Sequence, residues 1–307
     1  MAVNVSITIG GVEFSNPVFV ASGTFGYGVE TPDLVDINRL GAIVTKSITL
    51  QPREGNPPPR VVETPSGMLN SIGLANIGVD RYISEMLPLY ESFETKIITN
   101  IAGFTVSDYA NVMEKLEKAD GPIAGYEINI SCPNVEGGKM EFAVDPEMTL
   151  TLTKELRQRT QKMLIIKLSP NVTDIVEIAK AAEEGGADAV SAINTVFGMS
   201  VDTSSQQSNI ATGIGGLSGP AIRPIGIACV HRIASAVDIP VIGIGGITSG
   251  SDAVEYMLAG ASAVQVGTAN FRDPAAGVTV LDGMIDYCGE YGITAVSQLT
   301  GALKDEP

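Results

Sequence analysis

Eight short runs rich in valine and isoleucine recur along the chain, separated by segments of helical periodicity, and this alternation constrains the fold more than any other feature. The runs are PVFVAS (17–22), GAIVTKS (41–47), KIITNIAG (96–103), YEINIS (126–131), LIIKLSP (164–170), DAVSAINT (188–195), PVIGIGGI (240–247) and SAVQVGT (262–268). Short apolar runs of this kind mark strands buried on both faces, as in a parallel sheet whose crossovers are helices. Eight such units favour a closed α/β architecture, the (β/α)8 TIM barrel, over a doubly wound sheet. The 307 residues suit one barrel, so residues 1–307 are expected to form a single domain. Two short strands near the N-terminus, VSITIGG and VEFSN, are expected to form a β-hairpin closing the bottom of the barrel. Thr173 is a candidate cap for the helix DIVEIAKAAEE, and Ser249 precedes Asp252 at capping-box spacing. Two connections, 48–77 and 196–219, are longer than a barrel needs and are expected to be active-site loops.

Charge and rare residues then remove whole classes of function. With 19 basic and 35 acidic residues the formal charge is −16, which disfavours nucleic acid and anionic membranes as partners. No apolar run is long enough to cross a bilayer and the N-terminus lacks a signal-peptide layout, so a soluble cytoplasmic protein is expected. The single histidine, His231, falls inside a helical pattern, which removes histidine triads and multi-histidine metal sites; no metal is expected. Cys132, Cys229 and Cys288 are too few for a four-cysteine iron–sulfur cluster.

In a barrel of this kind the active site is built at the C-terminal ends of the strands. The polar residues there are Ser22, Lys46, Ser47, Asn100, Asn129, Ser131, Lys167, Asn194 and Thr195. Strands seven and eight end in Gly245-Gly246 and Gly267-Thr268, turns that lead into helical patterns and suit a bound phosphate such as that of FMN. Lys46 and Lys167 sit in otherwise apolar strand ends, where an ammonium needs an anionic partner: a flavin ring or a substrate carboxylate. Cys132 follows strand four in INISCPNVEGG, on a loop at the mouth where a thiol can be tuned to serve as a base. Cys229 and Cys288 read as small buried apolar groups.

The motifs NPVFVASGTFGYG, TKSITLQPREGNPPPR, NSIGLANIG, INISCPNVEGG, IKLSPNV, INTVFGMSVD, GGLSGPAIRP and GIGGITSGSDAVEYMLAGASAVQVGTA, in this order, closely resemble the class 1 dihydroorotate dehydrogenases. Within them the resemblance is to the two-subunit, NAD-linked class 1B branch, and it spans essentially the whole chain. It implies FMN contacts from Ser22, Lys46, Ser47, Asn100, Asn129, Lys167, Ile193, Gly219, Gly245, Gly246, Gly267 and Thr268. It implies substrate contacts from Lys46, Asn70, Ser71, Ile72, Gly73, Leu74, Asn129, Asn194 and Thr195, with Cys132 as catalytic base. The implied reaction is oxidation of (S)-dihydroorotate to orotate in pyrimidine biosynthesis: the Cys132 thiolate removes the C5 proton and hydride passes from C6 to FMN. The implied partner is a reductase subunit carrying FAD and a [2Fe–2S] cluster, in a heterotetramer built on a dimer of barrels. Two alternatives stay open: the homodimeric, fumarate-dependent class 1A branch, and a dihydropyrimidine-dehydrogenase-like flavin barrel.

Overall fold

The computed structural model describes residues 3–30, 33–131 and 142–304. Eight parallel strands close into a barrel: Val18–Val20, Ala42–Val44, Lys96–Ala102, Ile123–Asn129, Met163–Leu168, Ala189–Ala192, Val241–Ile244 and Ala261–Val266, here called strands one to eight. All eight fall on the apolar runs of the sequence, strand four beginning at Ile123 rather than Tyr126. Each strand pairs with its sequence neighbours, and strand eight closes on strand one through Val264 opposite Val18. The expected (β/α)8 barrel is therefore the fold.

Strands such as Val18–Val20 and Met163–Leu168 are buried along their whole length, because their outward faces meet helices and their inward faces fill the barrel. The helices begin where their caps dictate. Thr105 and Asp108 form a capping box at the start of Val106–Lys118, and Ser249 with Asp252 forms another at Gly250–Leu258. The expected cap at Thr173 is displaced by one residue: Asp174 accepts the Val176 N–H at 3.0 Å and starts the helix Ile175–Glu184. A carboxylate there also complements the positive end of the helix, which a threonine does not.

The N-terminal hairpin pairs Ile7–Ile9 with Val12–Phe14, turning through Gly10 and Gly11 at φ +55° and +76°. Two positive φ values in a two-residue turn match the twist of a hairpin and favour glycine. A Cβ at Gly10 would meet Met163, which opens strand five, and Asp188, which precedes strand six. The hairpin thus lies against the bottom of the barrel, as expected.

At the other end, the two long connections are not irregular loops. They supply the strands Val61–Thr64, Gly67–Asn70, Val196–Met199 and Ile214–Ser218, which form one antiparallel sheet. Asn70 faces Gly216 across it, and Leu69 faces Leu217. Glycines interrupt both 196–199 and 214–218, which weakens the alternation by which a strand is recognised in sequence.

Candidate functional site

The sheet above the barrel and the C-terminal ends of the barrel strands enclose a cavity of about 700 Å³. That is within the usual range for a cofactor or small-molecule site. Its lining contains Ser22, Lys46, Ser47, Asn70, Ile72, Leu74, Asn129, Lys167, Ile193, Asn194, Thr195, Gly219, Gly245, Gly246, Gly267 and Thr268. Residues drawn from all over the sequence are thus brought to one place. The lining also includes Ala21, Gly23, Thr24, Met68 and Ser218, which the sequence reading passed over because none carries a chemically distinctive group in a distinctive setting.

Three expected residues are placed otherwise. Asn100 is fully buried beneath the cavity, where its Nδ2 donates to Glu127 Oε1 at 2.7 Å. Ser71 and Gly73 are absent from the lining. The Ser71 hydroxyl instead accepts from Asn56 Nδ2 at 2.8 Å and from Thr212 Oγ1 at 2.7 Å, tying the two long connections together. Gly73, at φ +74°, supplies a turn in which a Cβ would strike the backbone of Asn56. Cys132 lies outside the described residues.

The remaining polar groups are tied to one another and to the backbone around the cavity. Asn129 Oδ1 accepts from Asn194 Nδ2 at 3.3 Å and from the Ser131 N–H at 3.2 Å, which orients the amide with its NH2 group available. Asn194 Oδ1 in turn accepts from the Thr195 N–H at 2.8 Å. The Thr268 hydroxyl donates to Ser218 Oγ at 2.8 Å and joins strand eight to the overlying sheet. Burial, reinforced by the Arg60 guanidinium, holds the Lys46 ammonium below the ordinary lysine range, and Glu30 partly opposes this. Such a cation gains by meeting an anion in the cavity. Lys167 is only 6% exposed, so it does not reach out to solvent.

A phosphate-bearing planar cofactor fits this lining on the geometry of its glycines. Gly219, Gly245 and Gly246 adopt φ of +90°, +128° and +69°, values open to glycine and costly for other residues. A Cβ at Gly246 would sit 2.8 Å from Gly219 O and 3.0 Å from Arg223 N, so the two turns close on each other. Beyond them begins the helix Arg223–Ala234, while Gly267 leads into the 3-10 turn Thr268–Phe271. Close-packed backbone turns beside helix starts are the construction that receives a phosphate. His231 is on the helix Arg223–Ala234 and takes no part in the cavity lining. Burial pushes the thiols of Cys229 and Cys288 up, away from thiolate chemistry.

Glu127 was missed altogether. It is fully buried in strand four and accepts hydrogen bonds from Asn100, Lys167, Ser191 and Gln265. The signal was present: a carboxylate in the middle of the apolar run YEINIS has no place in a doubly buried strand unless it is paired.

The family model described as dihydroorotate dehydrogenase matches residues 4–287. The chain is 50% identical over 300 residues to the dihydroorotate dehydrogenase B (NAD(+)) catalytic subunit of Geotalea uraniireducens, covering 98% of each chain. It is 49% identical over 301 residues to the protein of the same name from Bacteroides thetaiotaomicron, covering 98% of this chain and 99% of that one. Among solved structures, the dihydroorotate dehydrogenase of Eimeria tenella in complex with ferulenol superposes with a TM-score of 0.81 at 23% identity. That match covers 97% of this chain and 88% of the other, and it is a likeness of fold.

Proposed function

The chain belongs to the dihydroorotate dehydrogenase family, and from that premise we propose that it is the catalytic subunit of an NAD+-linked enzyme oxidising dihydroorotate to orotate in pyrimidine biosynthesis. The observation that carries this reading is the convergence of two lysines, three asparagines and the paired glycine turns on one cavity at the barrel mouth. The group we assign to it is FMN, its phosphate on the turns at Gly245-Gly246 and Gly267-Thr268 and its ring beside Lys167 and Lys46. When bound, FMN supplies the two-electron acceptor that no side chain of this protein can provide.

The protein's own part is binding, orientation and proton removal. Lys46 and the amides of Asn70, Asn129 and Asn194 suit a pyrimidine ring and carboxylate, which present both donors and acceptors. Ile72, Leu74 and Thr195 complete the enclosure, and the sheet formed by the long connections covers it and limits the access of water. Cys132, as thiolate, takes the C5 proton; hydride leaves C6, and the C5–C6 double bond of orotate forms. The amide of Asn129 and the ammonium of Lys46 hold the substrate so that these two positions face their acceptors.

The electrons need an exit. Among the described residues no helix is long and apolar enough to cross a membrane. The relatives' name, catalytic subunit, supports a separate partner, for which we assign a reductase carrying FAD and a [2Fe–2S] cluster in the cytoplasm, with two barrels at the centre of the assembly. The test is dye-linked turnover by the purified chain with dihydroorotate and with dihydrouracil, repeated with NAD+ before and after addition of the reductase subunit. Dihydroorotate-specific dye reduction, with NAD+ used only after the addition, is expected. Preference for dihydrouracil, or efficient turnover of the chain alone with fumarate, would overturn the reading.

A further inference from the structure

The period-two alternation of a strand places Glu127 one step below Asn129, Ser191 one step below Ile193, and Gln265 one step below Gly267. Asn129, Ile193 and Gly267 line the cavity, so the three lower residues form a polar layer directly beneath its floor. Asn100 and Lys167 join them from strands three and five. All five are buried, Lys167 at 6% exposure and the others at 0%.

The layer converges on one carboxylate. Asn100 Nδ2 and Lys167 Nζ donate to Glu127 Oε1 at 2.7 and 3.3 Å, and Ser191 Oγ and Gln265 Nε2 donate to Oε2 at 2.8 and 2.7 Å. Both amides turn their NH2 groups inward and leave Asn100 Oδ1 and Gln265 Oε1 buried without a partner. Both NH2 groups and the Ser191 hydroxyl meet Glu127 as donors, a pattern that suits a carboxylate with its two oxygens and about four lone-pair sites. Glu127 is the only hydrogen-bonding partner of Lys167 among the described residues. The ammonium keeps two of its three protons for the cavity above, which it lines.

We propose that Glu127 is a positioning residue for the oxidation, holding the Lys167 ammonium in place and aimed into the cavity floor against the flavin. This rests on the assignment of flavin and dihydroorotate to the cavity. Three neutral donors fix the carboxylate so that its one charged partner cannot draw it out of place. The pair itself is long at 3.3 Å, which leaves the ammonium free to face a ligand rather than locked onto its counter-ion.

The experiment is a double-mutant cycle on the full-length chain with Glu127→Gln and Lys167→Met. The readouts are FMN dissociation from the apoprotein and the limiting rate and half-saturating concentration of flavin reduction by dihydroorotate. Glu127→Gln is expected to weaken FMN binding at least tenfold and lower the limiting rate by a similar factor. The half-saturating dihydroorotate concentration should change less than threefold, since the substrate contacts lie elsewhere. In the Lys167→Met background the Glu127 substitution should add nothing. Additive losses, or a Glu127→Gln protein that keeps wild-type affinity and rate while melting lower, would overturn the proposal and leave Glu127 a structural knot. Should Glu127→Gln fail to fold, Glu127→Asp decides: a several-fold loss of FMN affinity that vanishes in the Lys167→Met background is expected, and wild-type affinity would overturn it. A wild-type chain that binds no FMN would instead defeat the assignment of the cavity.

Discussion

Single side chains carry the chemistry assigned to this barrel, and Cys132 and Lys46 make the most exposed claims. Replacing Cys132 with serine should leave FMN bound and slow flavin reduction by dihydroorotate by a factor on the order of 10² or more at neutral pH, because a hydroxyl is a much weaker base. Rapid-mixing reduction kinetics check this, and wild-type rates in the variant would remove Cys132 from the mechanism. Lys46→Ala should cost substrate binding about 1.5 to 3 kcal/mol, the worth of a charge-assisted contact in a dry site. The pH dependence follows from the direction of the Lys46 shift. Burial first, then Arg60, lowers its pKa, so in the free enzyme the ammonium is lost, as pH rises, earlier than from an ordinary lysine. Affinity for the carboxylate of orotate should therefore fall on the alkaline side below pH 10.5, the ordinary lysine value, and Lys46→Ala should abolish that limb. A spectral titration with orotate across pH reads both. For the same reason the shifted lysine makes stability rise with pH between its folded and unfolded values, where the unfolded chain binds the extra proton.

At the scale of elements, the turns after strands seven and eight were legible because glycines at two neighbouring strand ends, Gly245-Gly246 and Gly267-Thr268, each leading into a helical pattern, have few physical uses. Gly246→Ala tests them. The residue holds φ +69°, and a Cβ would press on Gly219 O and on Arg223. The substitution should cost roughly 1 to 3 kcal/mol of strain and lower FMN affinity at least tenfold, read by fluorescence titration of the apoprotein. An unchanged affinity would move the phosphate elsewhere. The eight barrel strands were equally legible, since burial on both faces writes a continuous apolar run. The sheet from 61–70 and 196–218 was not. Its strands expose Val61, Phe197, Met199 and Ile214 and are broken by glycines, so neither alternation nor continuous hydrophobicity marks them. Asn100 and Glu127 show the complementary limit. Both are polar residues in strands, but only pairing between strands decides that one lies under the cavity and that the other collects four donors there.

The described residues form a closed barrel whose bottom is covered by the hairpin at Ile7–Phe14 and whose top is roofed by its own long connections, with a cavity of about 700 Å³ between roof and barrel. The barrel and its open end followed from the count and order of the strands. Which polar residues line the cavity and which support it from below depended on depth along each strand, a property that spacing within one strand does not reveal. The central claim is that this cavity holds a flavin and passes electrons to it from dihydroorotate. An anaerobic titration of the purified chain with dihydroorotate, followed by its absorbance spectrum, tests that most directly. The expected result is an oxidised flavin spectrum that bleaches with about one equivalent of dihydroorotate per bound flavin. A chain that carries no flavin after reconstitution with FMN, or a bound flavin that dihydroorotate leaves oxidised, would contradict it.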